Sequence, residues 1–148
     1  MKLLIIEDNE YKSEKIRNFL IEHDKDYYIT VTHSYSSAIK SFGEHTFDFA
    51  IIDMSLPTFD RVAGEPPGEF RTFGGLDIAK QIHRKKMHLK YIFLTQYDSF
   101  ADDDKNYSLE NIENLAKEKY PINFLGCIYY DNSNVAWKNK ILSILREI

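Results

Sequence analysis

The sequence predicts an α/β fold with a doubly wound parallel sheet, and two observations lead to this prediction. Five short runs of apolar residues occur along the chain, and the first of them lacks the polar alternation that strands show when one side faces water. Stretches with apolar residues at helical spacing follow these runs. Strands covered by helices on both faces have this pattern, and five successive βα units join through right-handed crossovers into one doubly wound sheet.

The five predicted strands are defined by the apolar runs. The N-terminal run, Leu3-Leu4-Ile5-Ile6, contains no polar residue and predicts a strand buried on both faces. Short runs of this kind are typical of strands rather than of helices, which need ten or more residues. The other four predicted strands are residues 28–32, 47–52, 91–94 and 124–130.

The first two helices are marked by capping residues as well as by apolar spacing. Asn9 is the candidate N-cap of the first helix, because its side chain can accept a hydrogen bond from a free backbone N–H. Ser36 or Ser37 is expected to begin the second helix in the same way, and Gly43 is expected to end it. The apolar face of the first helix consists of Ile16, Phe19 and Leu20.

The other three helices are predicted from apolar spacing. The fourth is expected to end before Pro121, because the residue that precedes a proline avoids the helical conformation. The apolar residues are Leu76, Ile78, Ala79 and Ile82 in the third helix, Ile112, Leu115 and Ala116 in the fourth, and Trp137, Ile141, Ile144 and Leu145 in the fifth.

Two polar segments lie outside these five units. Residues 58–73 contain Pro66-Pro67-Gly68 and show no periodicity, and residues 97–108 are polar and acidic. We expect both to be solvated loops inserted into a single domain that spans residues 1–148. That length suits one hydrophobic core.

The composition argues against several classes of protein. The formal net charge of −4 gives no general attraction to nucleic acid or to an anionic membrane. Cys127 is the only cysteine, so neither an intrachain disulfide nor a thiolate zinc cluster can form. The N-terminal apolar run stops at Glu7, short of the roughly seven residues of a signal peptide or the roughly twenty of a spanning helix. We therefore expect a soluble cytoplasmic protein that binds neither nucleic acid nor membranes.

Acidic residues follow two of the predicted strands. Glu7 and Asp8 follow the first strand, and Asp53 follows the third. A single acid at a strand end is typically a turn former, but ligands of doubly wound sheets bind at the carboxyl ends of the strands, where these three acids would converge. Clustered carboxylates repel one another, and a hard divalent cation such as Mg²⁺ removes that repulsion. The sequence thus predicts a Mg²⁺ site beside Asp53, a candidate nucleophile for phosphoryl transfer.

Two further residues lie where such a site would use them. Thr95 ends the fourth apolar run, and its hydroxyl is a candidate donor to a phosphoryl oxygen. Pro57 follows Asp53 by four positions and is expected to stiffen a loop that presents a metal-binding carbonyl. Neither residue is diagnostic alone, because strands commonly end in threonine and loops commonly contain proline.

The chain resembles the receiver domains of two-component response regulators in four motifs: I-I-E-D (5–8), I-I-D-M-S-L-P (51–57), G-G-L-D-I-A (74–79) and F-L-T (93–95). The spacing of 45 residues from Asp8 to Asp53 is also similar to that of the family. The resemblance covers nearly the whole chain apart from the two polar segments. It implies a flavodoxin-like sheet of five parallel strands in the order 2-1-3-4-5.

The resemblance also implies a function. Asp53 would accept a phosphoryl group from a histidine kinase or a phosphotransfer protein, and Thr95 would move toward it. Glu7, Asp8, Asp53 and the backbone carbonyl of Ser55 would bind Mg²⁺. Because the sequence ends at the last predicted helix, we expect a chemotaxis-type, stand-alone receiver. Such a protein is not an enzyme and signals by contact with a downstream protein.

Several positions depart from the family pattern. Receivers usually end the fifth strand with a lysine that pairs with the phosphate, followed by a proline. Alignment of the last helix places Tyr130 and Asp131 at these two positions. Cys127 lies where the family usually has an aromatic residue that takes part in switching, and Gln96 replaces a small residue. Gln96 is expected to crowd or line the entrance for phosphate.

The missing lysine leaves alternatives open. One alternative is that Arg61 or Arg71 replaces its charge, and the simpler interpretation is a solvated loop arginine. A second hypothesis is a pseudo-receiver that binds a partner without ever being phosphorylated. A third is an aspartyl phosphatase, but that chemistry generally needs an acid two residues after the nucleophile, where this chain has Ser55.

Overall fold

Nine strands and five helices make up the chain in the computed structural model, which describes residues 1–148. In chain order they are β1 (Lys2–Ile6), α1 (Glu10–His23), β2 (Tyr28–Thr32), α2 (Tyr35–Glu44), β3 (Phe49–Ile52), β4 (Leu56–Pro57), β5 (Phe70–Arg71), α3 (Gly74–Arg84), β6 (Lys90–Thr95), β7 (Ser99–Asp102), β8 (Lys105–Ser108), α4 (Leu109–Lys119), β9 (Phe124–Tyr129) and α5 (Ala136–Arg146).

Five of the strands form the predicted parallel sheet, in the order β2-β1-β3-β6-β9. This confirms the predicted fold class and the strand order 2-1-3-4-5. The central strands β1, β3 and β6 are buried almost throughout, as their unbroken apolar runs predict. The predicted strand bounds agree with the observed ones to within two residues.

Helices cover both faces of this sheet. One apolar core joins the sheet to α1 and α5, and the other joins it to α2, α3 and α4. Trp137, Ile141 and Leu145 of α5 are buried as predicted, whereas Ile144 is only partly buried. None of the five helices combines the length and the apolar character that crossing a lipid bilayer requires.

The predicted capping residues are right for α1 and wrong for α2. The Asn9 side chain accepts a hydrogen bond from the backbone N–H of Lys12 at 3.0 Å. Helix α2 begins earlier than predicted, because Ser34 and Ser37 cap each other's backbone N–H groups at 3.1 Å. The helix also runs one residue past Gly43, which has no positive φ and does not end it.

The two polar segments contain hairpins rather than only loops. The first segment follows β4 directly, and its own strand β5 pairs antiparallel with β4, so that Pro57 lies opposite Phe70. In the second, β7 pairs with β8 around Asp103, whose φ of 52° is typical of a tight turn. Phe100 is the one buried residue of the second hairpin, and it packs with Tyr107 and Phe73. Mostly polar strands with a single buried residue give little hydrophobic pattern, so sequence periodicity did not predict them.

The register of the sheet brings the ends of β1 and β3 together. Ile6 pairs with Ile52. The chain continues this pairing for one residue, since the Asp53 N–H donates to the Ile6 carbonyl at 2.9 Å. On the other side, the Glu7 N–H donates to the Thr32 carbonyl at 3.0 Å. Glu7 and Asp53 are therefore held at the same edge by backbone hydrogen bonds.

Gly75 allows α3 to approach the segment that carries Asp53, and this gives a first prediction. A Cβ at position 75 would lie 2.8 Å from the Asp53 carbonyl oxygen and 3.1 Å from the Met54 Cα. Both are backbone atoms, so Gly75→Ala is expected to destabilise the fold by about 1–3 kcal/mol. Gly43→Ala is the matched control, because no atom lies within 4 Å of the added Cβ in α2. It is expected to stabilise by about 0.5–1 kcal/mol. Urea unfolding followed by circular dichroism measures both, and equal effects of the two substitutions would refute the argument.

Candidate functional site

Three carboxylates meet at the carboxyl edge of the sheet. Glu7 and Asp8 follow β1, and Asp53 follows β3. One oxygen of each lies within 4.8 Å of the others. Glu7 and Asp53 are buried, and Asp8 is half-buried. The structure thus brings together the three acids that the sequence placed at this edge.

The pKa of each of these carboxyl groups is raised. Burial is the main cause for Glu7, and the charge of Asp53 adds to it, so that the pKa of Glu7 rises to about 7. Burial also raises the pKa of Asp53 and that of Asp8. Three close oxygen ligands whose charged forms are disfavoured suit a hard divalent cation, which takes oxygen ligands and offsets their repulsion. The donor set therefore fits Mg²⁺.

A buried cation lies among these acids, and it comes from α1. The Lys12 ammonium is 2.5 Å from a Glu7 carboxylate oxygen and 3.4 Å from Asp53 Oδ1. Only 3% of Lys12 is exposed. Buried lysines need partners of opposite charge or hydrogen-bond acceptors, and Lys12 has both kinds.

Two further contacts hold the Lys12 ammonium. It donates hydrogen bonds to the Leu94 carbonyl and to the Gln96 side-chain oxygen, each at 2.9 Å. The ring of Tyr130 faces it, with the ring centroid 5.3 Å from Nζ. Gln96 and Tyr130 are two of the positions at which the sequence departs from the receiver pattern, and both contact Lys12.

Lys12 is not among the site residues predicted from the sequence. A lysine in an amphipathic helix normally lies on the solvent side. A signal was nevertheless present, since Lys12 precedes Ile16 by four residues and Leu20 by eight. All three are buried on one face of α1. A lysine within the apolar stripe of a helix is the pattern that points to a buried cation.

Neither arginine of the first polar segment lies next to Asp53. Arg61 is 3.5 Å from an oxygen of Asp8, but its side chain is 66% exposed. Arg71 pairs with Asp77 at 3.2 Å and stacks on the ring of Tyr35. The buried charge beside Asp53 therefore comes from Lys12 rather than from Arg61 or Arg71.

A cleft of about 310 Å³ opens over the acids, and Asp8, Asp53, Ser55, Arg61 and Gln96 are among the residues that line it. Gln96 thus lines the cleft over the acids. The Ser55 hydroxyl donates to the Thr72 carbonyl at 2.9 Å, which fixes the loop after β3. Pro57 lies in β4 and continues this loop into the first hairpin.

Thr95 is fully buried at the end of β6 and is not among the residues lining the cleft. Its hydroxyl oxygen accepts a hydrogen bond from the Tyr97 N–H at 3.2 Å. Its carbonyl accepts from the Tyr130 N–H at 2.8 Å. Thr95 therefore links the site to the end of β9 through the backbone. Cys127 of β9 lies beside Phe93, and burial raises the pKa of its thiol to about 12.

The raised pKa of Glu7 predicts how stability depends on pH in metal-free buffer. The folded state favours the protonated form of Glu7. The stabilisation that this carboxyl group gives to the fold is therefore fully present below the ordinary pKa of 4.5 and is lost as the pH rises through about 7. We expect the free energy of unfolding to fall over this range in EDTA, and Glu7→Gln to flatten the fall. Urea titrations at a series of pH values measure it. A stability that rises between pH 5 and 7 in the wild type, with no change in Glu7→Gln, would contradict this.

The comparison with protein families agrees with this geometry. A family model described as the response regulator receiver domain matches residues 3–124. Tyr130 and α5 lie beyond the end of this match. The chain is 28% identical to the Detocs response regulatory protein DtcB of Enterobacter cloacae over 155 aligned positions that cover all of both chains. It is 26% identical to a protein of the same name from Vibrio alginolyticus, with 97% of this chain and 99% of the relative covered.

Solved structures share the fold. A CheY-like receiver domain from Methanospirillum hungatei has a TM-score of 0.65 and 16% identity, over 99% of this chain and 90% of that one. The response regulator TrrA of Thermotoga maritima, solved in complex with Mg²⁺ and BeF, has a TM-score of 0.60 and 20% identity, over 97% of each chain. These similarities concern the arrangement of the sheet and its helices.

Proposed function

Because the chain belongs to the response regulator receiver domain family, we propose that it accepts a phosphoryl group on Asp53 and signals by contact with another protein. The observation that carries this proposal is the position of Asp53, which lines an open cleft beside Glu7 and Asp8. Receivers are signalling modules rather than enzymes in the usual sense, and the proposed reaction is stoichiometric.

Asp53 presents one oxygen for attack. Oδ1 accepts a hydrogen bond from the Met54 N–H at 2.8 Å and lies 3.4 Å from the Lys12 ammonium. The Met54 N–H and Lys12 both face Oδ1, which leaves Oδ2 as the proposed nucleophile. A bond forms from this oxygen to phosphorus while the bond from phosphorus to the donor breaks, and the donor leaves with the electron pair. The donor is the phosphorylated imidazole of a histidine kinase or of a phosphotransfer protein.

The acids around Asp53 are the proposed ligands of Mg²⁺. Glu7, Asp8, Asp53 and the Ser55 carbonyl would hold the ion, which when bound supplies positive charge to the oxygens of the transferring phosphoryl group. The Ser55 carbonyl accepts no hydrogen bond in the structure, which supports this role. We assign Thr95 the role of donating its hydroxyl proton to a phosphoryl oxygen, because the hydroxyl oxygen accepts from Tyr97 and its O–H remains free to donate.

The partners are proposed from the same chemistry. A histidine kinase or phosphotransfer protein would deliver the phosphoryl group at the cleft, in the cytoplasm, and a downstream protein would recognise the result. The name of the relatives, response regulatory protein, agrees with a regulatory role.

Incubation with acetyl phosphate and Mg²⁺ tests the proposal. We expect intact-mass spectrometry to detect one added phosphoryl group and Phos-tag electrophoresis to detect a shifted band, both absent in EDTA. The Asp104→Asn variant, changed at an exposed turn residue of the second hairpin, is expected to react like the wild type. If neither acetyl phosphate nor a phosphorylated histidine kinase adds mass to the wild type, the chain is a pseudo-receiver that acts without phosphorylation.

A further inference from the structure

Three features coincide in space, namely two departures from the receiver pattern and a buried lysine. Strand β9 is followed by Tyr130 instead of a lysine, Gln96 replaces a small residue, and Lys12 is buried in α1. Lys12 Nζ is 2.9 Å from the Gln96 oxygen and 5.3 Å from the Tyr130 ring centroid. One explanation accounts for all three, namely that the positive charge has moved from the last strand to the first helix.

We propose that Lys12 is the side chain that contacts the phosphoryl group on Asp53, and that Gln96 and Tyr130 position its ammonium for this role. The inference rests on the phosphorylation of Asp53 proposed above. Lys12 Nζ lies 3.4 Å from Asp53 Oδ1, so it is within reach of the oxygens of a group bonded to Oδ2. The phosphoryl group brings a charge of roughly −1.5 to −2, and a charge-assisted hydrogen bond from a buried ammonium stabilises it.

The other cations near the cleft are less well placed. Arg61 contacts Asp8 from the exposed hairpin segment and has no contact with Asp53. The last strand contributes no lysine, since residues 121–137 contain none. Lys15, one turn along α1, points to Asn132 and to the ring of Tyr11. Lys12 is thus the one cation of the chain that pairs with Asp53.

The contact between Lys12 and Glu7 predicts two effects of opposite sign. Without phosphate, the ammonium lies 2.5 Å from a carboxylate that would also bind the metal, so it repels Mg²⁺. With a phosphoryl group on Asp53, the same ammonium gains a new anionic partner. Removal of the charge should therefore strengthen the binding of Mg²⁺ alone and weaken the binding of a phosphoryl mimic. A residue that only supports the fold would not produce this opposition.

The test compares the binding of Mg²⁺ alone with the binding of beryllofluoride in saturating Mg²⁺, both measured by NMR titration. Lys12→Met keeps most of the apolar stem and removes the charge. We expect it to weaken beryllofluoride binding by at least about tenfold, the scale of one charge-assisted hydrogen bond, and to strengthen Mg²⁺ binding. Lys15→Met removes the same charge from the same helix and is expected to change neither affinity by more than about twofold.

Two more variants keep the inference testable if Lys12→Met does not fold. Gln96→Met removes one hydrogen bond to the ammonium and is expected to weaken beryllofluoride binding by a smaller factor. The double variant Lys12→Met with Tyr130→Lys returns the charge to the last strand. It is expected to recover most of the lost beryllofluoride affinity, because it restores a positive charge close to the bound anion.

The outcomes separate this inference from the proposed function. The role of Lys12 alone would be overturned if the wild type accepts phosphate and both Lys12→Met and Gln96→Met bind beryllofluoride as tightly as the wild type. Loss in Lys12→Met without recovery in the double variant would also overturn it, because the loss would then reflect packing. Wild-type protein that neither accepts phosphate nor binds beryllofluoride would overturn both.

Discussion

Asp53→Asn is expected to abolish covalent phosphorylation while the fold is retained. The substitution removes the nucleophilic oxygen but keeps the shape of the side chain, and the amide oxygen can still accept the hydrogen bond from the Met54 N–H. Intact-mass spectrometry after incubation with acetyl phosphate and Mg²⁺ measures the loss. Phosphoryl incorporation that persists in this variant would assign the acceptor to another residue.

The same substitution is expected to leave the metal-free protein at least as stable as the wild type. Burial raises the pKa of Asp53, so its charged carboxylate is disfavoured in the folded state. A neutral amide at this position does not have the desolvation penalty of the buried charge. Lys12 keeps Glu7 as a partner at 2.5 Å. Thermal unfolding in EDTA measures the change, at about 2–4 °C for each kcal/mol in a chain of this size. A fall of several degrees would show that Asp53 has a structural role that the amide cannot replace.

Trp137→Ala is expected to destabilise the fold by about 3–5 kcal/mol, a large part of the total stability of a typical domain. Trp137 is fully buried in α5. Its ring lies edge-on to Phe19 with centroids 5.4 Å apart, and it packs on Tyr130 with centroids 5.0 Å apart. The alanine variant loses both aromatic contacts and leaves a cavity between α1 and α5.

Two matched variants define the Trp137 effect. Trp137→Phe keeps an aromatic ring and is expected to lower the free energy of unfolding clearly less than Trp137→Ala does. Val135→Ala changes an exposed residue just before α5 and is expected to change stability by less than about 0.5 kcal/mol. Urea unfolding followed by circular dichroism measures all three without relying on tryptophan fluorescence. A cost below 1 kcal/mol for Trp137→Ala would mean that α5 is not firmly packed on α1.

The sheet could be predicted because its central strands are apolar on both faces. Runs such as Leu3-Leu4-Ile5-Ile6 fit few other structures, and the acids that follow them mark the edge where ligands bind. The hairpin of β7 and β8 could not be predicted in this way, since its strands are mostly polar. Its position depends on the packing of Phe100 and Tyr107 with Phe73, which lies more than twenty residues earlier in the sequence.

The cation of the site was missed for a different physical reason, since the place of Lys12 in the apolar stripe of α1 indicates burial but not the partners that would hold it. The choice among Lys12, Arg61 and Arg71 depends on which side chain can be buried with partners, and those partners come from distant strand ends. Lys12 bonds to the Leu94 carbonyl 82 residues away. The helix cap was missed for a local reason, because Ser34, Ser36 and Ser37 lie close together at the start of α2 and only the backbone geometry of Ser34 selects it.

The strand order of the sheet also has a consequence for how the chain folds during synthesis. Strands β1, β2 and β3 can pair once residues 1–52 have emerged, but β3 then has an open edge until β6 arrives. That edge is Phe49-Ala50-Ile51-Ile52, which is entirely apolar and unprotected by charge or proline. Open apolar edges pair with other chains. Chains truncated between β3 and β6 are therefore expected to aggregate, and nascent chains in this interval are expected to need protection by chaperones.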